Sequence, residues 1–163
     1  MCIRDRDIEL YDLPNVQGNL GGINCTMDVQ RIESLRSIDL TAGELNISNC
    51  PGMTQLFLRN QYDTNIFDLQ DLKTLELEPR HDSDIQLKDD LIKIYNLPQL
   101  DSLYIDPDGR QKKVETYNLP NLSYIDYRFH NTIDTVNIKS LSGLEKVNFF
   151  GNPEAIHLSL IHI

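Results

Sequence analysis

The chain is poor in the residues from which catalytic and metal sites are usually built. Three cysteines and four histidines are scattered over 163 residues, in neither a disulfide framework nor a metal-ligand spacing. Cys2 lies in the first six residues and Cys25 precedes the second of the repeats described below. Cys50 falls at an apolar position, where a buried free thiol is expected. No nucleophile motif, phosphate-binding loop or histidine-centred triad is present: His81 and His130 fall in loops, and His157 and His162 lie at the C-terminal end. No apolar run reaches membrane-spanning length. Basic residues are also scarce, 15 against 25 acidic, for a net charge of −10. A surface of that sign repels phosphate backbones and anionic lipid, which argues against nucleic acid and membrane surfaces as ligands; cationic ligands, metal ions and basic protein partners are compatible with it. No long helix is evident, and although QLKDDLIKIY (86–95) could supply a helical turn, Ile92 and Ile94 fit a strand better.

What the chain has instead is a repeat. Taking Leu13, Ile32, Cys50, Leu69, Leu97, Leu119 and Leu141 as anchors, apolar residues recur at minus five, minus three, zero, plus three, plus six and plus eight. LIKIYNLPQLDSLYI shows the full set: Ile92, Ile94, Leu97, Leu100, Leu103 and Ile105. Seven anchors define 42 sites, and with Cys and Tyr included only Asn19, Gly21, Thr64 and Thr116 break the pattern, so 38 are filled. At the overall apolar content of 40%, chance would fill about 17. Spacings of 19, 18, 19, 28, 22 and 22 residues between anchors suit a solenoid with loops of varying length, because each coil has only to deliver its inward residues to a common stack.

The template divides each coil into two short strands. Minus five and minus three give strand A, as in Leu45 and Ile47; plus six and plus eight give strand B, as in Leu75 and Leu77. Between them Asp12, Asn49, Asp68, Asn96, Asn118 and Ser140 precede the anchor, and Pro14, Pro51, Pro98 and Pro120 follow it, which is turn chemistry. Stacked coils are expected to align the polar residues into a column. The fold class that follows is mostly β: a parallel-stranded solenoid of about seven coils with two short strands per coil.

The strings LNISNCPGMTQLFL, NLPQLDSLYI, NLPNLSYIDY and LSGLEKVNF resemble leucine-rich repeats, and the spacing from Cys50 to Leu58 is similar to the BspA-like bacterial surface type. The resemblance spans residues 8–150. It departs from typical leucine-rich repeats in lacking the Asn-x-Leu after most strands and a helical convex side. It implies a non-catalytic protein-binding or adhesive role, often at a bacterial surface or outside the cell, with no cofactor.

The ends read differently. MCIRDR (1–6) and LSLIHI (158–163) look like translations of a transposase mosaic-end sequencing adapter in its two orientations. On that reading residues 7–157 are the natural solenoid segment, expected to be internal to a longer protein and to lack natural capping coils. Without Arg4, Asp5 and Arg6 its charge is −11, from 13 basic and 24 acidic residues. Ile156, Leu158 and Ile161 mimic minus five, minus three and zero of an eighth coil, so a further strand is expected there.

Two outward stripes follow from the template. On strand B, plus seven gives Asp39, Phe57, Glu76, Tyr104, Asp126 and Asn148, flanked by Arg59, Tyr124, Arg128 and Phe150. This acidic and aromatic strip is the candidate binding surface for a protein ligand, since rigid aromatics bring large contact area at small entropic loss. On strand A, Tyr11, Phe67, Tyr95 and Tyr117 share minus two, interrupted by Gln30, Ser48 and Lys139. That ladder could stack sugar rings, which makes a glycan the second candidate ligand. For both stripes the structural alternative is cross-strand pairing that only stabilises the sheet, at about 0.2–1 kcal/mol per pair.

Metal and enzyme readings are weaker. In DPDGRQKKVE, Asp106, Asp108 and Glu115 match calcium-loop positions around Gly109, but Tyr104 occupies the first position, and an ordinary turn is expected. HDSD (81–84) reads as a solvated acidic loop. The alternative fold is a right-handed parallel β-helix acting on polysaccharide, with Asp89 and Asp90, or Asp106 and Asp126, as paired acids. Two strands per coil favour the repeat module; three, with carboxylates clustered in a groove, favour the enzyme.

Overall fold

A computed structural model describes residues 8–11, 26–32, 42–59, 61–78, 91–106, 113–128, 135–139, 142–150 and 156–159, with side chains described for 29–32, 44–58, 63–78, 91–106, 113–128, 136–139 and 142–150. Every regular element is a β-strand, and no helix occurs among the described residues. In chain order the strands are β1 (Ile8–Tyr11), β2 (Thr26–Gln30), β3 (Ala42–Ser48), β4 (Gln55–Arg59), β5 (Gln61–Phe67), β6 (Thr74–Glu78), β7 (Leu91–Tyr95), β8 (Ser102–Ile105), β9 (Lys113–Tyr117), β10 (Tyr124–Arg128), β11 (Thr135–Lys139), β12 (Lys146–Phe150) and β13 (Ile156–Ser159).

These strands form two all-parallel sheets, one of eight strands in the order β1-β2-β3-β5-β7-β9-β11-β13 and one of five in the order β12-β10-β8-β6-β4. From β4 to β12 the chain visits the smaller sheet five times and so completes four turns of a β-solenoid. Register follows the apolar template without a slip. Ile8, Met27, Leu45, Thr64, Ile92, Val114, Val136 and Ile156, all at minus five, pair in sequence across the larger sheet. Leu56, Leu75, Leu103, Ile125 and Val147, at plus six, do the same across the smaller one. The further strand expected at Ile156 and Leu158 is β13, which pairs in parallel with β11. The sites expected to form strand B of the first two coils, 19–21 and 38–40, lie outside the described residues.

Period-two alternation buries one face of each sheet, and the inward residues of both sheets form a single apolar cluster. Leu69, Leu72, Leu75, Leu97, Leu100, Leu103, Leu119, Leu122 and Ile125 are all fully buried. Thr64 and Thr116, the two template breaks within described coils, also point inward and are buried, because a β-branched threonine has nearly the shape of valine. Burial of each large aliphatic chain contributes about 1.5–3 kcal/mol, and this is what fixes the register, since a one-residue slip would turn the apolar column out to water.

The turn between strands A and B has a specific geometry. The residue before the anchor is left-handed: Arg31, Asn49, Asp68, Asn96 and Asn118 have φ of 54°, 51°, 55°, 55° and 55°. Asn and Asp tolerate that region better than other L-residues, which explains the polar column seen in the sequence. Next comes a tight turn with proline at its second position, closed by bonds from Leu100 N to Leu97 O and from Leu122 N to Leu119 O, each 3.2 Å. In the Cys50–Met53 turn Gly52 takes φ 77°, the third-position requirement of a type II turn. The turns are also tied from coil to coil. Lys73 N donates to Thr54 O, Asp101 N to Lys73 O, Ser123 N to Asp101 O and Glu145 N to Ser123 O, at 2.9–3.0 Å, all at plus four. The polar column itself is bonded: Asn118 Nδ2 donates to Asn96 Oδ1 at 2.8 Å and Asn96 Nδ2 to Asp68 Oδ1 at 3.0 Å.

Candidate functional site

Parallel in-register stacking turns each outward template position into a row across neighbouring strands. On the five-stranded sheet the plus-seven row is Phe57, Glu76, Tyr104, Asp126 and Asn148, paired in that order. Five of the six residues expected for this strip therefore come together; Asp39 lies outside the described residues. Arg59 ends β4 opposite Glu78, and its side chain is outside the described set.

Around β10 the row becomes a bonded network. Tyr124 donates its hydroxyl to Asp126 Oδ2 at 3.1 Å and accepts from Asn148 Nδ2 at 2.8 Å. Arg128 Nε donates to Asp126 Oδ1 at 3.3 Å. Tyr104 packs on Tyr124 with ring centroids 5.4 Å apart and planes tilted by 54°, and Lys146 Nζ stands 5.5 Å over the Tyr124 ring. Desolvation, followed by the bond to Asp126, raises the Tyr124 pKa, so the phenol stays protonated and remains a donor. Asp126 is only 5% exposed although it points away from the core, because these neighbours cover it. The sequence marks Asp126 as outward but carries no signal for that burial, which arises from residues two positions along the same strand and on the next one.

Beside the network is a cleft of about 100 Å³, lined by Glu76, Glu78, Tyr104, Asp106, Asp126 and Arg128 together with Leu77 and Ile105. Four carboxylates and one guanidinium thus line one cleft along β6, β8 and β10. Asp106 and Asp126, one of the acid pairs singled out in the sequence, share this cleft; Asp89 and Asp90 lie outside the described residues. Asp108 and Gly109 of the calcium-like spacing also lie outside them, and among the described residues no three His, Cys, Asp or Glu side chains converge as metal ligands.

The strand-A stripe is built differently. Phe67, Tyr95 and Tyr117 stack in register, with centroids 5.0 and 4.7 Å apart and planes within 4° and 9° of parallel. Parallel strands lie about 4.8 Å apart, so aromatic rings at one register position must stack face to face. Both faces of Tyr95 are therefore taken, and Phe67 adjoins the buried Ser48 on its other side. Tyr117, 38% exposed, is the most exposed of the described rings of the stripe; the side chain of Tyr11 is outside the described residues. Burial raises the pKa of Tyr95 and Tyr117, with smaller contributions from Tyr117 and Asp68 at Tyr95 and from Glu115 and Asp68 at Tyr117. A run of sugar rings needs a succession of free aromatic faces, and this ladder presents edges instead.

Cys50 is buried, with its thiol 3.3 Å from Ser48 O. Burial pushes its pKa up, against smaller lowering by the backbone at Ile32 and Arg31, so the thiolate is disfavoured. Among the described residues no helix is long and apolar enough to cross a membrane. Comparison of the chain with protein-family models, with curated proteins and with solved structures finds no match in any of the three.

Proposed function

We propose that the chain is a non-catalytic recognition module of leucine-rich-repeat type, with seven coils and closest in kind to BspA-like bacterial surface proteins, and that it binds a protein through the outward face of the five-stranded sheet. One observation carries this reading: Phe57, Glu76, Tyr104, Asp126 and Asn148 form a single row, with Tyr124 beside it held by two side-chain hydrogen bonds. A tyrosine already fixed in place loses little entropy on binding, which is the property that makes aromatics dominate interface energetics. The described coils carry two strands each, which favours the repeat module over the three-stranded polysaccharide-acting helix. The stacked stripe on the larger sheet supports protein over glycan as ligand, since its rings cover one another's faces.

The test is a binding panel of surface proteins and polysaccharides against the immobilised full chain, repeated with two double variants. Phe57→Ala with Tyr104→Ala removes the row; Tyr95→Ala with Tyr117→Ala removes the outer part of the stripe. A protein ligand weakened about tenfold or more by the first pair and less than about twofold by the second is the expected result. A polysaccharide ligand lost only with the second pair overturns the proposal.

A further inference from the structure

Among the described residues Asp126 is the only charged side chain that is buried, and it is buried on an outward face rather than in the core. It lies in the row proposed as the recognition surface, yet at 5% exposure it is itself out of a partner's reach. Both of its oxygens are engaged by neighbours two residues away along β10. Oδ2 accepts the Tyr124 hydroxyl at 3.1 Å, and Oδ1 accepts Arg128 Nε at 3.3 Å. Outward side chains stand roughly perpendicular to a sheet and lean along the strand, and this carboxylate draws the Tyr124 ring toward the C-terminal end of β10. From the neighbouring strand Asn148 Nδ2 closes on the same hydroxyl at 2.8 Å, while Tyr104 packs against the ring with centroids 5.4 Å apart. Desolvating a carboxylate opposes stability, and an aromatic or β-branched residue in its place would pair across the sheet without that penalty.

We infer that Asp126 is a positioning residue of the recognition face: it holds the Tyr124 ring in the orientation that the protein partner meets, and it acts on the partner only through that ring. This deepens the protein-binding proposal above and rests on it. The hydrogen of the phenol is committed to Asp126, so the partner contacts the Tyr124 ring and takes no hydrogen bond from its hydroxyl. A ring held in the free protein has little rotamer freedom left to lose on binding. Removing Asp126 therefore weakens binding by loosening the ring, without deleting any contact to the partner. Tyr124→Phe keeps the ring and removes the hydroxyl that fixes it, so it acts like Asp126→Ala. The two changes break one link and do not add. Asp126→Asn keeps an oxygen for the hydroxyl and restores most of the hold.

The test has one arm on the free protein and one on the complex. In the full chain carrying labelled tyrosine, three-bond NMR couplings about χ1 of Tyr124 report whether the ring keeps one rotamer. A single rotamer is expected in the parent and in Asp126→Asn, and averaging in Asp126→Ala and Tyr124→Phe. The second arm uses the panel protein that the Phe57→Ala/Tyr104→Ala pair weakens, titrated against the same variants under conditions where circular dichroism shows each of them folded. Asp126→Ala and Tyr124→Phe should each bind it about three- to tenfold more weakly, and Asp126→Asn within about twofold of the parent. Adding Asp126→Ala to Tyr124→Phe should change affinity by less than about twofold. An unaveraged Tyr124 rotamer in Asp126→Ala overturns the positioning role, and additive losses in the double variant overturn action through the ring. A panel protein that depends on Phe57 and Tyr104 but binds Asp126→Ala like the parent keeps the recognition face and refutes this inference alone. A panel with no protein ligand overturns the recognition reading and this inference with it.

Discussion

Substituting Asn96 tests the coil geometry where backbone and side-chain contributions can be separated. Asn96 sits at φ 55°, donates through Nδ2 to Asp68 Oδ1 and accepts from Asn118 Nδ2. An alanine held in the left-handed region is disfavoured by about 1–2 kcal/mol. Each ladder bond, being half-exposed or exposed, sits at the low end of the net range, about 0.5 kcal/mol. Asn96→Ala is therefore expected to destabilise the protein by about 2–3 kcal/mol. Asn96→Gly also loses both bonds, and adds about 0.5–1 kcal/mol of unfolded-chain entropy, but it carries no left-handed strain. It should destabilise by about 1.5–2 kcal/mol, leaving glycine better than alanine by about 0.5–1 kcal/mol. Urea denaturation followed by circular dichroism, with m unchanged across the series, measures both values. An alanine variant as stable as the glycine variant would refute the strain argument, and two variants indistinguishable from the parent would refute the ladder as well.

Three further outcomes follow from single positions. Arg31 occupies the same left-handed turn, at φ 54°, where Asn, Asp or Gly is better tolerated, so Arg31→Asn should stabilise by about 0.5–1 kcal/mol in the same urea assay. The buried Thr116 hydroxyl has no hydrogen-bond partner, and Thr116→Val, which replaces it with a methyl group of similar shape, should raise stability by about 1 kcal/mol; a loss instead would place a bonded water or a relaxed rotamer at that site. Tyr127 is fully buried among the core residues, and burial pushes its phenol far above the ordinary tyrosine range. A folded pKa raised above the unfolded one leaves stability intact below the unfolded value of about 10 and erodes it as pH rises further, by up to about 1.4 kcal/mol per unit. Unfolding free energies measured from pH about 8 to 11 should therefore fall at the alkaline end, and Tyr127→Phe should flatten that fall.

The scaffold was legible because a solenoid repeats one packing problem. Seven strands of the larger sheet and all five of the smaller fall on template positions, and among the described residues the inward columns supply the apolar core, with Leu144, Val147 and Phe149 of the seventh coil partly buried against it. Even the breaks were informative: Thr64 and Thr116 stay inward because register is set by the whole column rather than by one residue. The turn residues were legible as polar and prolyl, and their left-handed backbone follows from Asn and Asp recurring there. Ring stacking in the minus-two stripe could also have been foreseen, since rings at equal register on parallel strands stand close to the strand spacing apart, where stacking is favoured. What the sequence did not carry was the coverage of Asp126. That depends on Tyr124 and Arg128 both turning toward one carboxylate and on Asn148 reaching from the neighbouring strand, and these are choices of rotamer that no periodic pattern encodes.

The same distinction bears on where specificity resides. Inward positions are constrained alike in every coil, so they identify the scaffold and nothing else. Outward positions are free to differ, and on the smaller sheet they do: the plus-seven row runs Phe, Glu, Tyr, Asp, Asn without repeating a residue type. A row kept only for sheet stability would gain most from like aromatic or β-branched neighbours, as the Phe67, Tyr95 and Tyr117 stack does on the larger sheet. Around β10 the smaller sheet gives up that gain, holding a nearly buried carboxylate between a tyrosine and an arginine at the rim of a cleft. Desolvating a charge on an outward face opposes stability unless its partners compensate, and Asp126 has those partners. On the proposed reading as a recognition module, the departure from uniform stacking, rather than the repeat itself, is therefore where one ligand would be distinguished from another.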